Sequence, residues 1–208
     1  MTPEEVLAQV AAEVQACQKC ELHYARKYGV PGYGPPGAEI MFIGEGPGFH
    51  ENEQGKPFVG AAGRFLDELL DSIELKRSEV FIGNVVKCRP PGNRDPKPEE
   101  LVACDFYLER QIQAINPRVI VTLGRFSMSK FIPNAKISDV HGMAMRAKGR
   151  LVIPMYHPAA ALHQPSLRAT VAADFANLPH LIATAESVPE IEVEAPEEKS
   201  APQQLSLF

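Results

Sequence analysis

A chain of 208 residues that is 45% hydrophobic and 23% charged has the length and composition of one domain with a packed core and a short appendage. No apolar run is long enough to span a bilayer, and Met1 is not followed by the basic and apolar regions of a secretory leader, so a cytoplasmic protein is expected. The net charge of -5 argues at first against a nucleic-acid partner, but it is local: six of the 26 acidic and one of the 21 basic residues fall after Ala185, leaving 20 of each sign in the body.

Val6, Val10 and Val14 recur at helical spacing, which predicts a helix over 3–14 capped by Thr2. It leads into Cys17-x-x-Cys20, and the only other cysteines are Cys88 and Cys104. In a reducing compartment four thiols favour one metal site over disulfides, with zinc and an iron–sulfur cluster both open at this point. A Gly/Pro-rich stretch at 29–37 reads as a loop. From there the chain repeats one rhythm. Short apolar runs at 40–43, 80–82, 119–123 and 151–155 alternate with helical patterns at 61–72, 98–115, 126–131 and 169–183. Continuous apolar runs alternating with helices predict a parallel sheet covered on both faces, and ligands bind such sheets at the carboxyl ends of the strands.

Those ends carry the informative residues: Gly44-Glu45-Gly46-Pro47-Gly48, then Gly83-Asn84, then Gly124, then His157-Pro158. The glycine-rich turn holds a carboxylate where backbone can approach a ligand, but it is neither a dinucleotide fingerprint nor a P-loop, and by itself it is equally a structural turn. Phe58, in Gly55-Lys56-Pro57-Phe58-Val59-Gly60, is a core anchor or a stacking floor for a planar base. Asn84 can donate and accept at once, as reading a base edge requires, or can cap a turn. His157 can stabilise developing negative charge or simply bond backbone. Lys87, Arg89, Arg94 and Lys97 crowd one stretch that is a solvated loop or a phosphate-facing patch. After Ser187 the composition turns to Pro, Glu, Ala and Ser, predicting a disordered acidic linker over 186–203, and three large apolar residues reappear in Gln204-Leu205-Ser206-Leu207-Phe208.

Taken in order, these motifs resemble the thermostable, iron–sulfur class of uracil-DNA glycosylases known as family 4. The resemblance covers roughly 16–178 and rests on 44–48, 55–60, the run Asn84-Val85-Val86-Lys87-Cys88-Arg89-Pro90-Pro91-x-Asn93-Arg94, Leu123-Gly124 and His157-Pro158-Ala159. It implies an αβα sandwich around a four-stranded parallel sheet, spanning 1–185. It also implies a structural [4Fe-4S] cluster on Cys17, Cys20, Cys88 and Cys104, and monofunctional hydrolysis of deoxyuridine in DNA after base flipping. Glu45, Asn84 and His157 are the implied catalytic residues. Gly46, Phe58 and Asn93 are implied at the substrate, and Lys87, Arg89, Arg94 and the wedge Leu162 at the DNA. Gly46 stands where related families have a catalytic Asp, so water activation falls to Glu45 and Asn84 with Asn93 in support.

Two departures from the family pattern stand out: Phe49-His50 before Glu51, and the small residues Ala159-Ala160-Ala161 after His157. The second gives weight to an alternative, a uracil-DNA-binding member of the fold with weak or no turnover. The terminal peptide 204–208 resembles the motif that docks bacterial proteins on the DNA polymerase III β sliding clamp. It implies a bacterial, nucleoid-associated protein, with Gln204, Leu205, Leu207 and Phe208 as the contact residues.

Overall fold

A computed structural model describes residues 1–190. Most of the expected linker and the whole of the peptide at 204–208 lie outside the described residues. Helix α1 (Pro3–Ala16) starts at Thr2 as expected. The Thr2 hydroxyl accepts from the Glu5 N–H at 3.2 Å while the Glu5 carboxylate accepts from the Thr2 N–H at 2.9 Å, a reciprocal capping box. One turn, α2 (Leu22–Ala25), follows the Cys17–Cys20 knuckle. The chain then enters β1 (Ile40–Gly44), α3 (Phe49–Gln54), α4 (Ala61–Asp71), β2 (Phe81–Asn84) and α5 (Pro98–Ile115). It continues through β3 (Val119–Leu123), α6 (Arg125–Ser129), α7 (Ile137–Val140), β4 (Met145–Ala147), β5 (Arg150–Met155), α8 (Pro158–His163) and α9 (Leu167–Ala183).

The strands lie in the order β2-β1-β3-β5-β4. Alternate side chains explain why the runs read as continuously apolar. Phe42, Val121 and Ile153 point to one face with Leu66, Leu70, Phe175 and Leu178 of α4 and α9, and Phe42 stacks on Phe175 with centroids 6.1 Å apart. Met41, Ile43, Ile120 and Val152 point to the other, with Leu108 and Ile112 of α5 and Met128 of α6. With both faces covered, β2 and β3 are buried throughout and β1 and β5 at all but their first residues, which removes the two-residue alternation of a half-exposed sheet. The sandwich is therefore as expected.

The four-stranded count is corrected. A fifth strand, β4, pairs antiparallel with β5 at the sheet edge. Lys148 and Gly149 both take positive φ (52° and 72°), as a two-residue hairpin turn requires. Three residues of mixed polarity are too short to show a period, so β4 left no pattern to read. The short α3, which begins at Phe49, was not among the expected helices.

Strand register levels the carboxyl edge of the sheet. Gly44 pairs with Asn84 and Leu123 with Met155, so the parallel strands finish side by side and their last residues share one edge.

Candidate active site and cysteine cavity

The ends of β1, β2 and β5 open into a cavity of about 360 Å³. Glu45, Gly46, Phe58, Asn84, Asn93 and His157 all line it, so the catalytic and substrate residues expected from sequence are brought together. The end of β3 does not line it. Gly124 instead lies beneath His157, where an added Cβ would come within 3.3 Å of the His157 Cβ.

Asn84 is buried, and its Oδ1 has no hydrogen-bond partner in the protein. An orphaned buried acceptor is costly unless something else satisfies it. Lack of a side chain at Gly44 creates the room: a Cβ there would lie 2.5 Å from the Asn84 Oδ1 and 2.8 Å from the Phe58 Cζ. Phe58 itself has φ 52°, a conformation unfavourable for an aromatic residue, and its ring lies against that of His157 with centroids 5.4 Å apart and planes inclined by 23°. Two features hold Phe58 there. Gly63 lets α4 close on it, since a Cβ at that position would be 1.9 Å from the Phe58 carbonyl oxygen. The Glu51 carboxylate accepts the backbone N–H groups of Val59 and Gly60 at 2.8 and 2.9 Å, closing the loop between α3 and α4. Glu51 was not anticipated as a site residue, because the groups that it satisfies are eight and nine positions away and join it only through the fold.

His157 caps α8: its Nδ1 accepts from the Ala159 N–H at 3.1 Å. An accepting Nδ1 leaves the proton of a neutral imidazole on Nε2. Burial pushes the His157 pKa down to about 4, against a smaller opposing effect of the Glu51 charge. Burial, with the Asp95 carboxylate adding to it and Arg125 opposing, holds Glu45 above the usual carboxylate range. The partly buried histidine also makes stability depend on pH. The unfolded chain protonates it near the ordinary value of about 6.5, and between there and about 4 it binds more protons than the folded state. The contribution of His157 to stability is thus complete above about pH 6.5 and is lost as pH falls through about 4. The drop in Tm from about pH 7 to about pH 5, measured by thermal denaturation, is expected to be smaller in a His157→Ala protein than in the parent chain.

The basic stretch divides. Lys87 was expected at phosphate, and that expectation is corrected: the side chain is 1% exposed. Its ammonium donates to the Asn84 carbonyl at 2.9 Å and to the Gln111 Oε1 at 2.7 Å, and burial lowers its pKa to about 8. Lys87 therefore supports the Asn84 backbone from within. Arg94 lines the cavity but makes a two-pronged ion pair with the buried Glu100, at 2.6 and 2.8 Å, which neutralises much of its charge. Arg89 lies at the rim, donating from Nε to the Asn93 Oδ1 at 2.7 Å. Leu162, on α8, is 40% exposed close to the cavity-lining Ala160 and His163.

All four cysteines line a second cavity, between the end of α1, the segment after β2, and α5. Cys88 and Cys104 are buried, and burial pushes the Cys104 thiol up to about 12. The Arg26 Nη1 donates to the Cys88 sulfur at 3.1 Å, and the Lys87 N–H to the Cys104 sulfur at 3.4 Å. Among the described residues no group of three or more His, Cys, Asp or Glu side chains is arranged to hold a single metal ion.

The sequence profile of the uracil DNA glycosylase superfamily matches residues 31–178, spanning all five strands and every residue that lines the first cavity. The chain belongs to that superfamily. Among its relatives, the type-4 uracil-DNA glycosylase of Sulfurisphaera tokodaii is 48% identical over 188 residues, covering 86% of each chain. The type-4 enzyme of Archaeoglobus fulgidus is 48% identical over 187 residues (85% of this chain, 94% of that one), and that of Thermotoga maritima 45% over 168 (79% and 88%). Superfamily membership covers the sandwich and the β1, β2 and β5 ends, whereas Cys17 and Cys20 precede the matched span. No helix among the described residues is long and apolar enough to cross a membrane.

Proposed function

We propose that this chain excises uracil from DNA by hydrolysing the N-glycosidic bond of a deoxyuridine turned out of the helix into the 360 Å³ cavity. The carrying observation is the unpartnered, buried Oδ1 of Asn84 on the wall of a cavity that also holds a neutral histidine and a carboxylate. The Oδ1 accepts the uracil N3–H while the Asn84 amide donates to the neighbouring carbonyl, satisfying both partners at once. Phe58 covers a face of the ring. As the C1'–N1 bond breaks, its electron pair passes to the base. The His157 Nε2–H donates to the uracil oxygen that gains charge, and being already neutral it does so without surrendering a proton. Glu45 orients the water whose oxygen bonds to C1', and its carboxylate faces the positive charge of the sugar, with Gly46 leaving space and Asn93 at the edge. The water's proton leaves through Glu45, uracil departs, and an abasic site remains. Arg89 and the exposed Leu162 serve the DNA outside, Leu162 as the wedge that fills the vacated stack.

Cys17, Cys20, Cys88 and Cys104 fit a [4Fe-4S] cluster: four soft donors share one cavity, no carboxylate lines it, and Arg26 and Lys87 bring positive charge or N–H groups to the sulfurs. The cluster supplies a structural cross-link between α1, the segment after Asn84, and α5. The peptide at 204–208 docks on the bacterial β sliding clamp, tethering a domain that works elsewhere on the same DNA.

Incubation with uracil-containing single- and double-stranded oligonucleotides followed by alkali tests the activity. Strand cleavage is expected, and intact strands with retained binding would favour the non-hydrolytic alternative. Iron and sulfide analysis with visible absorption tests the cluster, and a colourless protein with stoichiometric zinc would refute it. Removal of 204–208 is expected to abolish clamp pull-down and leave the excision rate unchanged, so undiminished pull-down would refute docking.

A further inference from the structure

Phe49 is an aromatic residue left without a core. It opens α3 directly after Gly48, a residue of the cavity lining, and 53% of it is exposed. Its ring is nevertheless held on two sides. The Arg89 guanidinium lies over it, with Cζ 5.4 Å from the centroid, and His50 meets it edge-on with centroids 5.5 Å apart and planes at 81°. The same Arg89 donates to the Asn93 Oδ1 at 2.7 Å, and Asn93 lines the cavity. Arg89 therefore links the ring to the rim of the base pocket.

We propose that Phe49, backed by Arg89, is a stacking shelf for the base adjacent to the flipped deoxyuridine. The proposal rests on the glycosylase reading of the cavity. A volume of about 360 Å³ takes one nucleotide, so the neighbouring base must lie at its rim, and the rim carries an exposed ring with a cation against it. Stacking on an aromatic face is sequence-tolerant, because every base presents a π-face, and the guanidinium adds attraction for the adjoining phosphate. A protein partner would find one isolated ring here beside a polar cavity mouth, whereas an unstacked base finds a surface of its own size and shape.

The test measures binding, which does not require turnover. Fluorescence anisotropy with the full chain uses single-stranded oligonucleotides carrying the hydrolysis-resistant 2'-fluoro-2'-deoxyuridine. Its neighbour is either adenine or a baseless tetrahydrofuran spacer, placed on the 5' side in one series and on the 3' side in another. The parent chain is expected to bind the adenine-flanked strand about tenfold more tightly than the spacer-flanked one in one of the two series. Phe49→Ala should bring that ratio close to one without weakening the spacer-flanked complex, and Phe49→Trp should restore it. Absence of any ratio in the parent chain, a ratio unchanged by Phe49→Ala, or equal weakening of both complexes would overturn the shelf. Failure to excise natural uracil while the ratio holds would overturn the glycosylase reading and leave the shelf standing.

Discussion

A His157→Ala protein is expected to lose about a hundred- to a thousandfold in kcat on uracil-containing oligonucleotides, with a much smaller change in KM. In the ground state the uracil oxygen is a neutral carbonyl, and a hydrogen bond to it is exchanged for one to water at little net gain. When the glycosidic bond breaks, that oxygen carries much of the departing anion's charge, and a fixed donor in a site shielded from water then matters far more. His157 suits this role because its Nδ1 is already committed to the Ala159 N–H, leaving one proton on one known nitrogen. Its pKa of about 4 keeps it neutral across the working range, so the acid limb of a rate profile should reflect Glu45 and not the histidine. Single-turnover measurement separates the chemical step from product release, and a His157→Ala enzyme within tenfold of the parent would remove the histidine from the mechanism.

Replacement of Cys88 by alanine is expected to cost on the order of 10 °C in Tm, equivalent to about 3–5 kcal/mol, and to reduce DNA affinity together with iron content. Cys88 lies four residues after Asn84 and one before Arg89, so its sulfur, bonded by Arg26, holds the segment that carries both the Asn84 amide and the rim cation. Losing it also leaves the Arg26 Nη1 without its partner inside the protein. Because Glu45 and His157 follow β1 and β5, outside the segment that Cys88 holds, the chemical step at saturating DNA should fall less than affinity does. A soluble Cys88→Ala protein with parental Tm, affinity and iron would overturn the cross-linking role.

Residues whose placement follows from chain direction were legible in the sequence. Gly44, Asn84 and His157 each end an apolar run, and a parallel sheet brings such ends to one edge. The helix cap at Thr2 depended only on its neighbours and was equally plain. Lys87 was misread for the opposite reason. A lysine beside arginines suggests a solvated patch, and what satisfies its buried ammonium is Gln111, 24 positions later on α5, an acceptor that no local pattern points to. Glu51 and β4 were hidden in the same way. One acts on distant backbone groups, and the other is defined by its pairing and not by its composition.

The bare Cα of Gly44 has a practical use. One methyl group there would intrude on Asn84 and Phe58 together, the two residues proposed to accept and cover the base. Gly44→Ala is thus the smallest edit that should yield a decoy: a protein that travels along DNA with the parental footprint but cannot admit a nucleotide. Compared with the parent chain by footprinting and by excision, such a decoy would separate the search for damage from its removal.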